Sequence, residues 1–323
     1  MRYFPLVLLP LLICAGCSQK SKHKPVVGVV PKGANHIFWQ SVHAGAIKAA
    51  QEFDLEVEWN APTTEVDSSR QIEIVESMVN RKLAGIALAP VDSDALVSAV
   101  NRAASAAIPV AIFDSDINTK NRITFVATNN REGGRMAAGK LAELLKEQGK
   151  VAIIGFMPGS ASTMEREQGF QEEMKKNHPK IQIVQTAYGM ASQAKSLAAT
   201  ENIMTAHPDL TGLFADNESS TMGAVLALKA RADGKVKMVG FDSSEQLVDD
   251  LRHRIMEALV VQNPFKMGYE STRAIGMKLR GESVPAYIDS GATLVTWADI
   301  EKPDILALLF PDIKSYLEPP ARR

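Results

Sequence analysis

The sequence predicts an α/β protein built from two doubly wound, parallel-sheet lobes, and three observations carry that prediction. Short apolar runs alternate with longer segments of helical period along most of the chain. Strands that alternate with helices lie parallel and are covered on both faces. The length of 323 residues is enough for two domains of ordinary size. One segment also echoes another: GIALAPVDSDAL from Gly85 and GLFADNESSTMGA from Gly212 each read as an apolar strand, a polar loop and a Ser/Asp/Thr-rich helix start. They point to equivalent positions in two units of similar size.

The elements run in this order. Val26–Val30 is a strand, Phe38–Phe53 a helix and Leu55–Trp59 a second strand. Ser68–Lys82 is a helix, with Ile72, Val75, Met78 and Val79 on one face. Gly85–Ala89, Pro109–Phe113 and Phe125–Ala127 are strands, with Ser93–Ala107 a helix among them, and Arg131–Gln148 is a long helix. The alternation then restarts with strands at Val151–Gly155, Gln182–Thr186, Gly212–Ala215 and Lys237–Gly240. Their helices are Thr163–Lys176, Gln193–Ala206 and Ser220–Arg231. Near Gln262 the pattern changes: VVQNPFKMG leaves a strand and enters a helix over Phe265–Arg280, with Pro264 suited to a helix start. Short strands come next around Tyr287–Ile288 and Thr293–Thr296, and the last stretch, from Thr296 on, is expected to pack as a helix against the second unit.

Composition excludes several function classes. A formal net charge of -1 offers no basic face for nucleic acid. The six histidines show no paired metal-ligand spacing, and Gly155–Ser160 lacks the pattern of a phosphate loop, so neither metal nor cofactor is expected. No nucleophile motif announces an enzyme. The N-terminus is distinct. Arg2, an apolar run from Phe4 to Ile13 and then small residues read as a signal peptide over 1–16, too short to span a bilayer. It ends in Cys14-Ala15-Gly16-Cys17, which resembles the bacterial lipobox, with Cys14 where Leu is usual. Cys17 is therefore the expected lipidation site, and 17–24 a polar tether. Cys14 and Cys17 are the only cysteines, so stability must come from the core.

Ligands of open parallel sheets bind beyond the carboxyl ends of the strands. The residues just past each strand therefore form the candidate site: Asn35, Phe38 and Trp39 after the first; Asp114, then Ser115, after Phe113; Arg166 at the helix after Gly155; Asn217 after Ala215; Phe241 and Asp242 after Gly240; Gln262 after Val261. Carboxylates accept from two hydroxyls at once, Arg donates a fixed fork, and Asn or Gln do both. Flat rings pack on the C–H faces of a pyranose or furanose. The set fits a polyhydroxylated ligand, held between Phe38/Trp39 and Phe241.

NHIFW, LAPVDSDAL, IPVAIFDSD, EREQGF, LFADNE, VGFDSS and VVQNPF occur in this order, and from Val26 to about Leu294 the chain resembles the ribose-binding family of bacterial periplasmic sugar-binding proteins. The resemblance implies a type I periplasmic binding protein fold, two Rossmann-like lobes joined by a three-stranded hinge. It implies a monomeric receptor that hands a pentose, hexose or related polyol to the membrane permease of an ABC importer. It also implies that the residues at Phe38, Trp39, Asp114, Arg166, Asn217, Phe241, Asp242 and Gln262 line the sugar cleft. The expected lobes are 25–127 plus 263–290, and 128–262 plus 291–323, with crossings near Thr128, Gln262–Asn263 and Gly291. Three departures stand out. Ser115 replaces the Arg that comes directly after the first-lobe Asp in the ribose receptor, which is expected to leave room. The loop PKGANHIFW is one residue longer, which adds Lys32 and His36 as candidates. The receptor's middle aromatic has no clean counterpart, Tyr188 being the candidate.

Three other classes compete with this reading. A repressor on the same core would need a DNA-binding helix-turn-helix where this chain has an export signal and tether. An exported enzyme could use acidic pairs, but Asp114 and Asp242 on opposite lobes suit clamping. A chemotaxis or sensing receptor would share the binding chemistry.

Overall fold

The computed structural model describes residues 23–34, 36–232 and 234–318. The expected signal peptide over 1–16, Cys17 and Asn35 lie outside the described residues. The first lobe runs β1 (Val26–Val30), α1 (Ile37–Phe53), β2 (Glu56–Trp59), α2 (Ser68–Asn80), β3 (Gly85–Leu88), α3 (Val97–Ser105), β4 (Val110–Phe113) and β5 (Thr124–Ala127). The second begins with α4 (Asn130–Leu144), β6 (Gly149–Gly155), α5 (Ala161–Asn177) and β7 (Ile181–Tyr188). It continues through α6 (Gln193–Ala206), β8 (Gly212–Ala215), α7 (Glu218–Arg231), β9 (Lys237–Phe241), α8 (Glu245–Arg252) and β10 (Ala258–Gln262). The chain then returns to the first lobe for α9 (Pro264–Leu279) and β11 (Tyr287–Asp289), and ends with β12 (Ala292–Thr296), α10 (Pro303–Leu309) and α11 (Lys314–Leu317). The short helix α8 is an addition to the elements expected from the sequence.

Each lobe holds one six-stranded sheet, and the two have the same order: β2-β1-β3-β4-β5-β11 and β7-β6-β8-β9-β10-β12. Thus β3 and β8, the two echoing segments, occupy equivalent places. All pairings are parallel except the edge pair β10–β12, which is antiparallel. The edge strand is free of the crossover rule because it enters directly from the hinge.

The period of two along each strand separates two apolar layers. In the first lobe Val27, Val29, Ala87, Ala111 and Phe113 face one layer, and Val30, Ile86, Leu88, Val110 and Ile112 the other. In the second, Val151, Ile153, Phe214, Val239 and Phe241 face one, and Ala152, Ile154, Leu213, Ala215 and Met238 the other. Side-chain caps fix the helix starts: Asp67 for α2, Asn129 for α4, Asn217 for α7, Ser244 for α8 and Asn263, just before Pro264, for α9.

Three strand connections cross between the lobes, after β5, after β10 and between β11 and β12. Two of them are tied together: Thr128 Oγ1 donates to the Gly291 carbonyl at 3.0 Å. The C-terminal segment does pack on the second lobe, where Ile305 and Leu309 of α10 enter its core. It then goes further than expected, laying α11 against α1 and the Tyr316 ring 5.7 Å from that of Phe265 at the start of α9.

Candidate functional site

The carboxyl edges of the two sheets face each other across a cleft with about 370 Å³ of space between protein atoms. Asp114 comes directly after β4, and Asp242 directly after the equivalent β9. Both have left-handed backbone, with φ of 62° and 69°. Each still donates its N–H to the neighbouring strand, Asp114 to Val126 and Asp242 to Val260, both at 2.9 Å. The ladder therefore runs to the last residue before the chain turns sharply, and each carboxylate is delivered at the sheet edge. Asp tolerates this conformation better than most residues.

Arg166 comes from α5, which lies backbone to backbone on α4. A Cβ at Gly134 would sit 2.0 Å from the Arg166 carbonyl oxygen, so glycine permits this approach. The guanidinium is fully enclosed. Its Nε donates to Asn130 Oδ1 and its Nη1 to the Asp216 carbonyl, each at 2.8 Å. Nη1 also stands 4.0 Å from Asp242 Oδ2. Asp242 in turn accepts from Gln262 Nε2 at 2.6 Å and from the Glu218 N–H at 2.9 Å. Burial raises the Asp242 carboxyl above the ordinary range, against the pull of Arg166 and Gln262. Asn217 spends its Oδ1 on the Ser220 N–H as the α7 cap. One hydrogen of its amide goes to Ser219, leaving the other to give.

The cleft walls bring together Phe38, Trp39, Asp114, Arg166, Asn217, Asp242 and Gln262, with Lys32 and His36 from the longer loop. Three expectations are corrected. Phe241 is not a wall of the cleft. It is 0% exposed, because the period of two puts it on the same inner face as Val239, and it serves as a floor on which the Arg166 guanidinium stacks at 3.9 Å. The aromatic on the second-lobe wall is Phe156, directly after β6. Tyr188 is 39% exposed and turned away, donating to Glu167 at 3.1 Å.

Nor does Ser115 leave room. Lys32 fills the space, 2.8 Å from Asp114 Oδ2, donating to Ser115 Oγ at 2.6 Å and to Ser160 and Ser162 Oγ of the other lobe at 3.2 Å each. Ser115 itself donates to Ser162 Oγ at 2.7 Å. The cation missing at 115 is thus supplied from the first loop, and the resulting knot ties the lobes together.

Two carboxylates join the residues expected from the sequence. Glu65 accepts from the Trp39 indole at 2.6 Å and stands 3.5 Å from His36 Nε2. Glu218 stands 3.4 Å from His36 Nδ1. Burial alone would lower His36, but the hydrogen bond to Glu218 and the charges of Glu65, Glu218 and Asp242 prevail and push it up to about 9. Burial raises Glu65. Glu218 Oε2 and Gln262 Oε1 are buried acceptors without a hydrogen-bond partner among the described residues.

Two α/β lobes closing on a polar cleft at their strand ends define a binding protein of the hinged, two-lobed class. The chain belongs to the periplasmic binding protein domain family, whose model matches residues 27–283. It is 29% identical to the ribose import binding protein RbsB of Bacillus subtilis, over 90% of this chain and 97% of that protein. It is 30% identical to the D-ribose/D-allose-binding protein of Pseudomonas aeruginosa, over 74% and 80%. A carbohydrate transporter solute-binding protein from Agrobacterium radiobacter, solved in complex with D-arabinose, superposes with a TM-score of 0.87 at 33% identity, covering 90% of this chain and 100% of that one. An ABC transporter solute-binding protein from Agrobacterium vitis with bound D-fucose gives 0.86 at 34% identity, covering 88% and 100%.

Proposed function

We propose that this protein is the exported, lipid-anchored substrate-binding component of an ABC importer, and that it closes by a hinge motion on a monosaccharide, a pentose, hexose or related polyol. The observation that carries this reading is the surplus of buried acceptors in the cleft. Glu218 Oε2 and Gln262 Oε1 have no hydrogen-bond partner among the described residues, and Asp114 and Asp242 line the same cleft. Leaving a buried polar group unpaired costs roughly 1–3 kcal/mol, so the closed form calls for a ligand rich in hydroxyl donors. Arg166 and the Asn217 amide offer donors for the same ligand, and Phe38, Trp39 and Phe156 offer apolar faces. The sugars named for the relatives fit this chemistry.

In this reading 25–127 plus 263–290 forms one lobe and 128–262 plus 291–323 the other. Asp114 with Phe38 and Trp39 belongs to the first, and Arg166, Asn217 and Asp242 to the second. A ligand touching both stabilises closure by its differential affinity. Asn35, next to His36 in the sequence, is proposed as a further contact, and Ser115 as a support for Asp114. Cys17 is the proposed lipid anchor, and metabolic labelling with a radiolabelled fatty acid should be lost in Cys17→Ala.

A thermal-shift screen of pentoses, hexoses, deoxysugars and polyols on the purified protein tests the ligand class, because a binder raises Tm by mass action. Asp114→Ala, Arg166→Ala and Asp242→Ala should each weaken the hit by on the order of 2–3 kcal/mol, about 30- to 150-fold. Amino acids or nucleosides shifting Tm where no sugar does would refute the ligand class.

A further inference from the structure

We propose that His36 is a positioning residue: gripped by Glu65 of its own lobe, it reaches across the cleft to Glu218 and holds that carboxylate so that its free oxygen accepts a hydroxyl of the bound sugar. This rests on the sugar-binding reading for the hydroxyl, and on geometry alone for the bridge between lobes.

His36 stands at the start of α1, where a capping side chain is usual, yet it makes no capping bond. Its two ring nitrogens are directed to two carboxylates instead. Nε2 lies 3.5 Å from Glu65 Oε1, on the segment before α2, and Nδ1 lies 3.4 Å from Glu218 Oε1, in the first turn of α7 in the opposite lobe. Glu65 is itself held by the Trp39 indole at 2.6 Å. One chain of contacts therefore runs from the aromatic wall through Glu65 and His36 to Glu218. It ends on Glu218 Oε2, which is buried in the cleft and has no hydrogen-bond partner among the described residues.

The charges support this arrangement. Glu65, Glu218 and Asp242 face His36, and the other charged groups on the cleft wall are Lys32, Asp114 and Arg166. Lys32 is spent on Asp114, and Arg166 stands beside Asp242. Glu218 thus has the histidine as its cation. With His36 pushed up from 6.5 to about 9, the bridge is charged at neutral pH. A raised value fixes the sign: the contribution is complete below about 6.5 and is lost as the pH rises through about 9.

Two measurements decide the matter. The first uses no ligand. Spin labels are placed on exposed positions of each lobe, and the interlobe distance distribution is recorded from pH 6 to pH 10. The closed population should fall above about pH 9 in the wild type, and be low and independent of pH in His36→Gln and Glu218→Gln. A His36→Gln distribution matching the wild type at pH 7 overturns the bridge. The second uses whichever of D-ribose, D-allose, D-arabinose and D-fucose gives the largest thermal shift, together with its monodeoxy analogues, titrated calorimetrically. Deleting one particular hydroxyl should weaken wild-type binding at least tenfold and weaken Glu218→Ala less than threefold. Equal losses in both proteins for every hydroxyl overturn Glu218 as the acceptor. If none of these sugars binds, the sugar reading and the acceptor fall together, and the distance measurement still decides the bridge.

Discussion

Replacing Lys32 by Met removes the ammonium group and keeps most of the stem. In the closed protein this strips Asp114 of its ion pair at 2.8 Å and leaves it the Ser115 hydroxyl, 3.2 Å away, whose one hydrogen is shared with Ser162. It also removes the donor shared by Ser115, Ser160 and Ser162. Lys32 and Asp114 are both almost wholly buried. Breaking a buried pair by removing one partner costs about 3–5 kcal/mol. Most of that cost should fall on closure rather than folding, because Ser160 and Ser162 belong to the opposite lobe and an open cleft lets Asp114 reach water. Binding should therefore weaken by about 150-fold to several thousand-fold, with only a small loss of Tm for the ligand-free protein. Calorimetric titration with the best sugar from the thermal-shift screen measures the first quantity, and differential scanning calorimetry without sugar the second. Adding Ser115→Arg to Lys32→Met returns a cation to the position it holds in the ribose-binding family, and should recover part of the affinity. A Lys32→Met protein that binds within about threefold of the wild type would refute the reasoning.

Other substitutions separate cleft from scaffold. Gly134→Ala puts a methyl 2.0 Å from the Arg166 carbonyl oxygen. Overpacking of this kind costs about 1–3 kcal/mol. A calorimetric Tm lower by several degrees, with weaker sugar binding as Arg166 shifts, is the expected outcome. Phe156→Ala should weaken sugar binding at least tenfold in the same titration, while Tyr188→Phe should leave it unchanged. Tyr316→Ala removes the ring contact between the C-terminal segment and Phe265, and small-angle scattering of the ligand-free protein should show a larger open fraction.

The strand-end residues are legible in the sequence for a geometric reason. Residues at or within two positions past the end of a parallel strand stand at the sheet's carboxyl edge, so Asp114, Asn217, Asp242 and Gln262 can be placed from the positions of apolar runs alone. Side-chain reach is not legible. Lys32 and Ser115 lie 83 residues apart, and only folded coordinates show an ammonium group taking the space an Arg at 115 would fill. Glu65 sits in a segment without periodicity, and nothing local ties it to Trp39. Phe156 hides in a Gly-containing loop, although its place directly after β6 is the signal that marks the other residues. Phe241 carries a signal against a cleft role: it is two residues from Val239 and shares its inward face. The helix α8 is easily overlooked because it is only eight residues long, but Ser244 with Leu247, Val248 and Leu251 behind it is a capped amphipathic turn.

The identical strand order of the two lobes connects these particulars. Each lobe ends the same strand on an Asp in left-handed backbone, and each Asp stands near a buried cation, 2.8 Å away for Lys32 and 4.0 Å for Arg166. The cations arrive differently. Arg166 is fixed within its own lobe by Asn130, the Asp216 carbonyl and the Phe241 ring. Lys32 is held in its own lobe by Asp114 and Ser115, and its remaining contacts are the other lobe's Ser160 and Ser162. The second-lobe half of the site is therefore organised whether or not the protein is closed, and the first-lobe half is completed only by closure. A sugar that first settles against Arg166, Asp242 and Asn217 would draw the first lobe down onto it. On that order of events, Arg166→Ala should slow association, and Lys32→Met should chiefly speed dissociation. Stopped-flow tryptophan fluorescence separates the two rates, and a Lys32→Met protein whose loss lies wholly in the association rate would contradict this order.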